Sequence, residues 1–417
     1  MLIKMRQEIF DVIVIGGGAS GMMAAGRAAE RGKRVLLLEK NKRLGEKLKI
    51  TGGGRCNVTN AEFDTHKLLA HYGNGGRFLP SPFSQFGVES TFKFFESRGL
   101  PLVVEDRKRA FPKTQKALDI FRVLETYLRD GKVTVCTEAK TTRINTDGRK
   151  VLGVQCGSVS YTAGAIILAT GGMSHAETGS TGDGFAWLRD LGHKVKAPTP
   201  TIVPLAVREA WVKALAGVTL KSMKITFSVE GKKQFSRTGS LLFTHFGISG
   251  PIILNSADKV GDMLQAGTAT AIIDAFPELD LGALDERIRK AFDANKNRDL
   301  KNVFKEIAPP GTSTHLLKLL SKIDEKKKVH SVTKEERKLI ARTLKALPLT
   351  ITHLMGFDRA VVADGGVVLE EMDMKTMRSL LFDNLYITGD LLHVRRPSGG
   401  YSLQLCWTTG YVAGSHA

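Results

Sequence analysis

Residues 11–16 read Asp-Val-Ile-Val-Ile-Gly, a short β-branched apolar run that stops at glycine. A run of this kind, apolar on both faces, fits a strand inside a parallel sheet. Behind it comes ASGMMAAGRAAERG, alanine-rich and closed by Gly32, which suits a helix and its stop. VLLLEK at 35–40 then reads as a second buried strand. The order is β-α-β, which commits the chain to an α/β architecture with a parallel sheet.

Between the first strand and the helix lies Gly16-Gly17-Gly18-Ala19-Ser20-Gly21, a G-x-G-x-x-G match in the context that gives the motif meaning. Gly16 permits the tight turn, Gly18 lets the backbone approach a pyrophosphate, and Gly21 allows close helix–strand packing. Ala19 and Ser20 open the helix, whose unpaired N–H groups and dipole favour a phosphate. Glu39, with Lys40 beside it, stands 23 residues beyond Gly16, where a carboxylate can accept hydrogen bonds from an adenosine ribose. The plain alternative is an ordinary helix-to-strand turn with a surface glutamate. Strand, glycines, helix and acid together weigh against it, and at this point NAD and FAD both fit.

The far end of the chain separates the two. AIILAT at 165–170 is a further buried strand that carries Ala169 and Thr170 into Gly171 and Gly172, and NLYITGD at 384–390 is another. Gly389 and Asp390 are placed to contact a ribityl chain and pyrophosphate, and a nicotinamide dinucleotide has no ribityl chain. Gly399, Gly400, Tyr401 and Ser402 then open a helical segment whose amino end can point at the flavin N1/C2=O edge, which becomes anionic on reduction. A closing helix that only covers the sheet is the alternative. FAD is the expected cofactor.

A chain of 417 residues, 42% hydrophobic and 25% charged, has room for two or three domains. Segments such as LKSMKITFSVEG and TATAIIDA, within 200–275, alternate like strands, and the period becomes helical from about 278 to 347. The expected organisation is a discontinuous dinucleotide domain at 1–200 and 350–417, an inserted β-rich domain at 201–277 and a helical subdomain at 278–349. DEKKK at 324–328 reads as a solvated loop. Cys56, Cys136, Cys156 and Cys406 lack C-x-x-C spacing, so neither a metal site nor a disulfide framework is expected. Asp11 and the glycines interrupt the amino-terminal apolar run too early for a signal peptide, so no leader is expected, and no window of about 18 apolar residues offers a membrane span. A cytoplasmic location is expected.

Several motifs in order, IGGGASGMMAA, KLKITGGGRCNVTN at 47–60, FPKTQKA at 111–117, LATGG at 168–172, GSTGDG at 179–184, LLFTHFGISGP at 241–251 and the GD…GGYSLQ ending, resemble one bacterial flavoprotein family over nearly the whole chain. Its members are described as aminoacetone-oxidase-like or as flavin-dependent reductases of bile-acid intermediates, and they include a dihydrouridine synthase of ribosomal RNA. The resemblance implies a Rossmann-like FAD domain of the glutathione-reductase superfamily type, with an inserted β-barrel-like domain carrying helices. It also implies that Gly52, Gly53, Gly54, Arg55, Cys56 and Asn57 form a flavin-proximal loop. Successive glycines permit close backbone approach to a planar ring, and Arg55 can meet phosphates or substrate. The family pattern usually ends Gly-Glu, Leu-Asp-Val-Asp-Gly, Thr-Gly-Gly-Tyr-Asn. Here Leu392-His393-Val394-Arg395-Arg396 makes the acidic run basic, which bears on the substrate rather than on FAD.

Reduction of a C=C bond through flavin N5 needs a proton donor, and Cys56, His245, His393 and Tyr401 are the candidates. Three function classes follow: an FAD-dependent reductase of a conjugated C=C, an oxygen-using oxidase of a small amine such as aminoacetone, and an RNA-binding protein with structural FAD. NADH or NADPH is expected as a transient donor, since no second strand-G-x-G-x-x-G-helix unit exists and GSTGDG lacks the glycine spacing. Charge favours RNA as partner over a small molecule alone. The net charge is +19, residues 33–55 carry 8 Lys+Arg against 2 Glu, and residues 201–350 carry 25 Lys+Arg against 16 Asp+Glu.

Overall fold

A computed structural model describes residues 9–417. The amino-terminal stretch read above as excluding a leader lies, up to residue 8, outside the described residues. Two compact units divide the chain, one comprising 1–200 with 360–417 and the other 201–359.

The first unit is built on five parallel strands: β1 (Ile9–Ile15), β2 (Val35–Leu38), β3 (Thr134–Cys136), β4 (Val159–Leu168) and β5 (Leu385–Ile387), in spatial order β5-β4-β1-β2-β3. β1 is central, paired with β2 through Val12–Val35 to Ile15–Leu38 and with β4 on its other side. That position explains its unbroken apolar run, since Val12, Ile13, Val14 and Ile15 are all buried. The chain leaves β1 for β2 on one side and reaches β4 on the other. The carboxyl end of β1 is therefore a topological switch point, where ligands of such sheets bind. This is a Rossmann-like α/β fold. An antiparallel meander, 141–147 with 150–156, extends the sheet beside β4.

Two helices lie against each other beside this sheet, α1 (Ala19–Glu30) and α2 (Tyr401–His416). Their small residues are required by the approach of the backbones. A Cβ added at Gly410 would sit 2.4 Å from the Ser20 carbonyl oxygen, and one at Gly414 2.3 Å from that of Ala24. At Gly26 of α1 an added Cβ would meet the Tyr127 ring at 2.3 Å. The pairs Ser20–Gly410 and Ala24–Gly414 also fix the direction: the helices run parallel. α2 begins nine residues before Gly410, so its start projects about 14 Å beyond the level of Ser20 at 1.5 Å per residue. Buried polar groups on α2 are satisfied. Gln404 accepts from Thr59 Oγ1 (2.6 Å) and Thr91 Oγ1 (3.0 Å) and donates to Thr408 Oγ1 (3.0 Å), while Trp407 Nε1 donates to the Val58 carbonyl (3.0 Å).

In the second unit six strands close a barrel in the order 205–207, 247–249, 232–243, 219–229, 269–274 and 347–354. Helices 281–294, 300–307 and 334–345 share one apolar core with that barrel, through residues such as Phe227, Ile288, Phe304 and Leu344. The last barrel strand, Leu347–Leu354, carries this unit to Arg359. The DEKKK run is a largely exposed turn, as expected of a solvated loop. Within it Lys327 pairs with Glu336 (2.8 Å) in the first turn of helix 334–345, and Lys328 with Asp299 (2.8 Å) at the start of helix 300–307.

Gly410→Val should destabilise the first unit by about 1–3 kcal/mol or more, the usual cost of overpacking. Thermal or urea unfolding followed by circular dichroism reads this as an earlier transition.

Candidate functional site

The turn after β1 gives each glycine a different reason to be glycine. Gly16 has φ +107°, and a Cβ there would lie 2.4 Å from the Ala169 carbonyl oxygen. A Cβ at Gly21 would fall 1.8 Å from the Gly16 carbonyl oxygen, so Gly21 permits α1 to seat against the turn. Gly18 is different. Its φ is −84°, open to any residue, and no protein atom lies within 4 Å of its Cβ position. Nothing within the protein requires glycine there, whereas a ligand approaching the backbone does. No side chain caps α1 and no acid occupies its first turn, which leaves its N–H groups directed at that open face.

Glu39 follows β2 directly and is buried. Its carboxylate accepts from Gly17 N–H (2.8 Å) and Asn41 N–H (2.8 Å), which fixes its orientation beside the turn, and each oxygen keeps capacity to accept another bond. Lys40 is committed elsewhere, to Thr181 Oγ1 and to Asp183 (2.9 Å) at the start of helix 183–190. Ala169 continues β4, its N–H bonded to the Ile15 carbonyl (2.9 Å). Thr170 Oγ1 is buried without a partner, and Gly171 turns the chain at φ +74°.

Gly389 abuts this turn from β5. Its φ is +62°, its N–H donates to Thr409 Oγ1 (3.0 Å), and a Cβ there would meet Ser20 Oγ at 2.9 Å. Further along, the start of α2 is clamped by the 57–60 segment. Gly400 has φ +101° and would place a Cβ 2.2 Å from the Thr59 carbonyl carbon, and the Asn57 amide, oriented to satisfy its neighbours, accepts from Gly400 N–H (3.0 Å). As at α1, no side chain caps this helix and its first turn holds no acid. Gly53 and Gly54, at φ +67° and +84°, have no protein atom within 4 Å of their Cβ positions, so the loop offers bare backbone. Arg55 is held by Glu105, by Gln115 Oε1 (2.6 Å) and by the Phe111 ring (4.1 Å), so its guanidinium has protein partners.

Asp390 follows Gly389, and Arg396 donates to its Oδ1. The two arginines read as charge offered to phosphates therefore part company. Arg395 is exposed and pairs with Asp364 Oδ2 (2.9 Å), whereas Arg396 is buried and bound to Asp390 and Ser402 Oγ (3.1 Å), which corrects that expectation for Arg396. His393 Nδ1 faces Asp364 Oδ1 at 3.7 Å, too far for a hydrogen bond, and both atoms are buried without a partner. Burial lowers the His393 pKa, and Asp364 opposes that shift. Tyr401 is buried against His71 (4.9 Å), and desolvation raises its phenol pKa. Cys56 is fully buried at φ +61°, its thiol pushed up to about 12 by desolvation. His245 belongs to the second unit, exposed beside Phe246 (4.9 Å). Of the four candidate donors, His393 is the one with a carboxylate facing a ring nitrogen.

This turn, its acid and two uncapped helix starts can hold the two ends of a dinucleotide. A family model described as the HI0933-like protein Rossmann domain matches residues 10–416. The chain belongs to the HI0933-like family. It is 31% identical over 411 residues to a 3-dehydro-bile acid delta(4,6)-reductase of Clostridium scindens, covering 97% of this chain and 98% of that protein. A ribosomal RNA dihydrouridine synthase of Haemophilus influenzae is 27% identical over 406 residues, 96% of each chain. Among solved structures, a 3-ketosteroid delta1-dehydrogenase from Sterolibacterium denitrificans has the same fold, with a TM-score of 0.56 at 14% identity, covering 98% of this chain and 99% of that one. Among the described residues, no helix is long and apolar enough to cross a membrane.

Sequence reasoning overlooked three members of this HI0933-like site. Lys47 donates to Ser174 Oγ (3.2 Å), and burial lowers its pKa while Asp390 opposes the shift. In the sequence it counted only as bulk charge. Asp364 follows the apolar run 360–363 and lies with Gly365 and Gly366 inside the strand Val362–Val367. Asn41, which orients Glu39 through its N–H, acts through the backbone and left no signal.

Cys56 should resist alkylation in the folded protein at pH 8. With its thiol pKa near 12, roughly one molecule in ten thousand is thiolate at that pH. Mass spectrometry should find label on Cys56 only after unfolding; rapid labelling of the native chain would show an exposed, activated thiol.

Proposed function

We propose that this chain is an FAD-dependent oxidoreductase that reduces a C=C bond conjugated to a carbonyl. The observation that carries the FAD reading is Gly18, glycine at ordinary φ with an open face, between an uncapped helix and the oriented carboxylate of Glu39. The start of α1 suits the pyrophosphate, Glu39 the adenosine ribose, and the start of α2, about 12 Å further along the helix axes, the N1/C2=O edge of the ring. Thr170 Oγ1, Gly389 and the bare backbone of Gly53 and Gly54 suit the space between. Bound FAD supplies hydride transfer through ring N5.

The relatives' names support reduction rather than oxidation, since a delta(4,6)-reductase and a dihydrouridine synthase each saturate a conjugated C=C. NADH or NADPH is the proposed source of the hydride, docking transiently. The proton for the second carbon comes from a side chain, and His393, whose Nδ1 faces Asp364 Oδ1 at 3.7 Å, suits that role best of the four candidates. The favoured substrate is a uracil in ribosomal RNA. Lys221, Lys224, Lys232, Lys233 and Arg237 are exposed on the long hairpin of the barrel, a density that suits a phosphate backbone. A uracil stacked in a duplex has to be unstacked first, which favours loops or incompletely assembled RNA. The second reading is a small cyclic enone, favoured by the 31% identity to the bile acid reductase.

Gly18→Val should abolish FAD retention, measured as flavin absorbance per protein after gel filtration, while the protein still folds, its unfolding transition lying within about 1 kcal/mol of that of FAD-free wild type because valine caps the helix less well. Retention of FAD by a folded Gly18→Val protein would refute the placement of the pyrophosphate. For the substrate, dihydrouridine in ribosomal RNA should fall when the gene is deleted and return with the wild type but not with His393→Asn. RNA binding should weaken steeply between 50 and 200 mM salt. Unchanged dihydrouridine together with NAD(P)H-dependent reduction of an enone would establish the small-molecule reading. Hydrogen peroxide production with a small amine would instead indicate an oxidase.

A further inference from the structure

Arg396 is buried where the field of the protein disfavours a cation. Its side chain is 2% exposed, and its Nε donates to Ser402 Oγ (3.1 Å), within the first turn of α2. The unpaired N–H groups there form the positive end of the helix dipole, and a guanidinium beside them is repelled. The other nitrogens are spent on the Val394 carbonyl and on Asp390. A buried ion pair is a poor source of stability, because desolvation offsets most of its attraction. One buried cation balances the carboxylate, and the uncapped helix start beside them leaves an excess of positive field. That excess is stabilising once a negative charge develops at the same place.

On the FAD reading above, hydride transfer brings two electrons and one proton to the flavin. NAD(P)H becomes NAD(P)⁺, and the reduced ring carries one additional negative charge at its N1/C2=O edge unless a second proton arrives from solvent. We propose that Arg396 sets the reduction potential of the bound flavin by cancelling the charge of Asp390, so that the field at the start of α2 acts undiminished on the reduced ring. Arg396 is a positioning residue in this scheme, acting through Asp390.

The test is equilibrium reduction of the FAD-loaded protein against a dye of known potential at pH 8. R396Q leaves Asp390 uncompensated, and the ratio of reduced to oxidised flavin at fixed potential should fall about tenfold, which is about 30 mV for a two-electron couple. D390N should shift the ratio the opposite way. The double variant R396Q/D390N should return most of the way from R396Q towards wild type, and R396K, which keeps the charge, should stay near it. An unchanged ratio in R396Q, or a double variant as low as R396Q, overturns the proposal. So does R396K falling as far as R396Q, which would trace the effect to packing. If R396Q does not fold, D390N decides: a rise supports the proposal and a fall overturns it. A wild-type protein that holds no FAD removes the reading on which the proposal rests, a result distinct from unchanged potentials.

Discussion

The close approach of α1 and α2 is the constraint on which the site depends. Gly410 and Gly414 let α2 lie against the backbone of α1 at Ser20 and Ala24, where any larger side chain would collide with a carbonyl oxygen. Because the helices run parallel and are offset, their starts are held at fixed separation in one rigid unit. Each start presents unpaired N–H groups, and neither is neutralised by a cap or an acid. A single ligand with negative charge at two points offset by about 12 Å along the helix axes satisfies both. A dinucleotide with a ribityl chain has that form, which is why the geometry of packing and the choice of cofactor are one problem.

Distant parts of the chain must meet to make this work. Gly17 meets Glu39 across the first β-α-β unit, Gly389 meets Ser20, and the 57–60 segment meets Gly400, Gln404 and Trp407. Most of these contacts use backbone groups or small side chains, which leave little freedom for adjustment. Fixed dipoles of this kind stabilise developing charge without reorganising at the moment of reaction. An ion pair then adjusts the field, as with Asp390 and Arg396.

Much of the fold was legible because its signals are local. DVIVIG, the alanine-rich helix and VLLLEK name their own conformations, and the burial of β1 on both faces accounts for its unbroken apolar run. The inserted β-rich domain was readable from alternation in LKSMKITFSVEG and TATAIIDA, both of which are barrel strands, while closure into a barrel was implied only by the family resemblance. What escaped depends on contacts between segments far apart. Arg395-Arg396 looks like surface charge until Asp390 is seen to bury the second arginine. Glu39 was singled out for the ribose, yet its orientation comes from Gly17 and Asn41 N–H groups that no side-chain pattern reveals.

A diffraction structure of the protein carrying its dinucleotide tests the central claim most directly. The account predicts FAD with its pyrophosphate over Gly18 and the start of α1, its adenosine ribose hydrogen-bonded to Glu39, and its isoalloxazine N1/C2=O edge at the first turn of α2. A dinucleotide bound in the reverse direction, or one that leaves the start of α2 facing solvent, would contradict it.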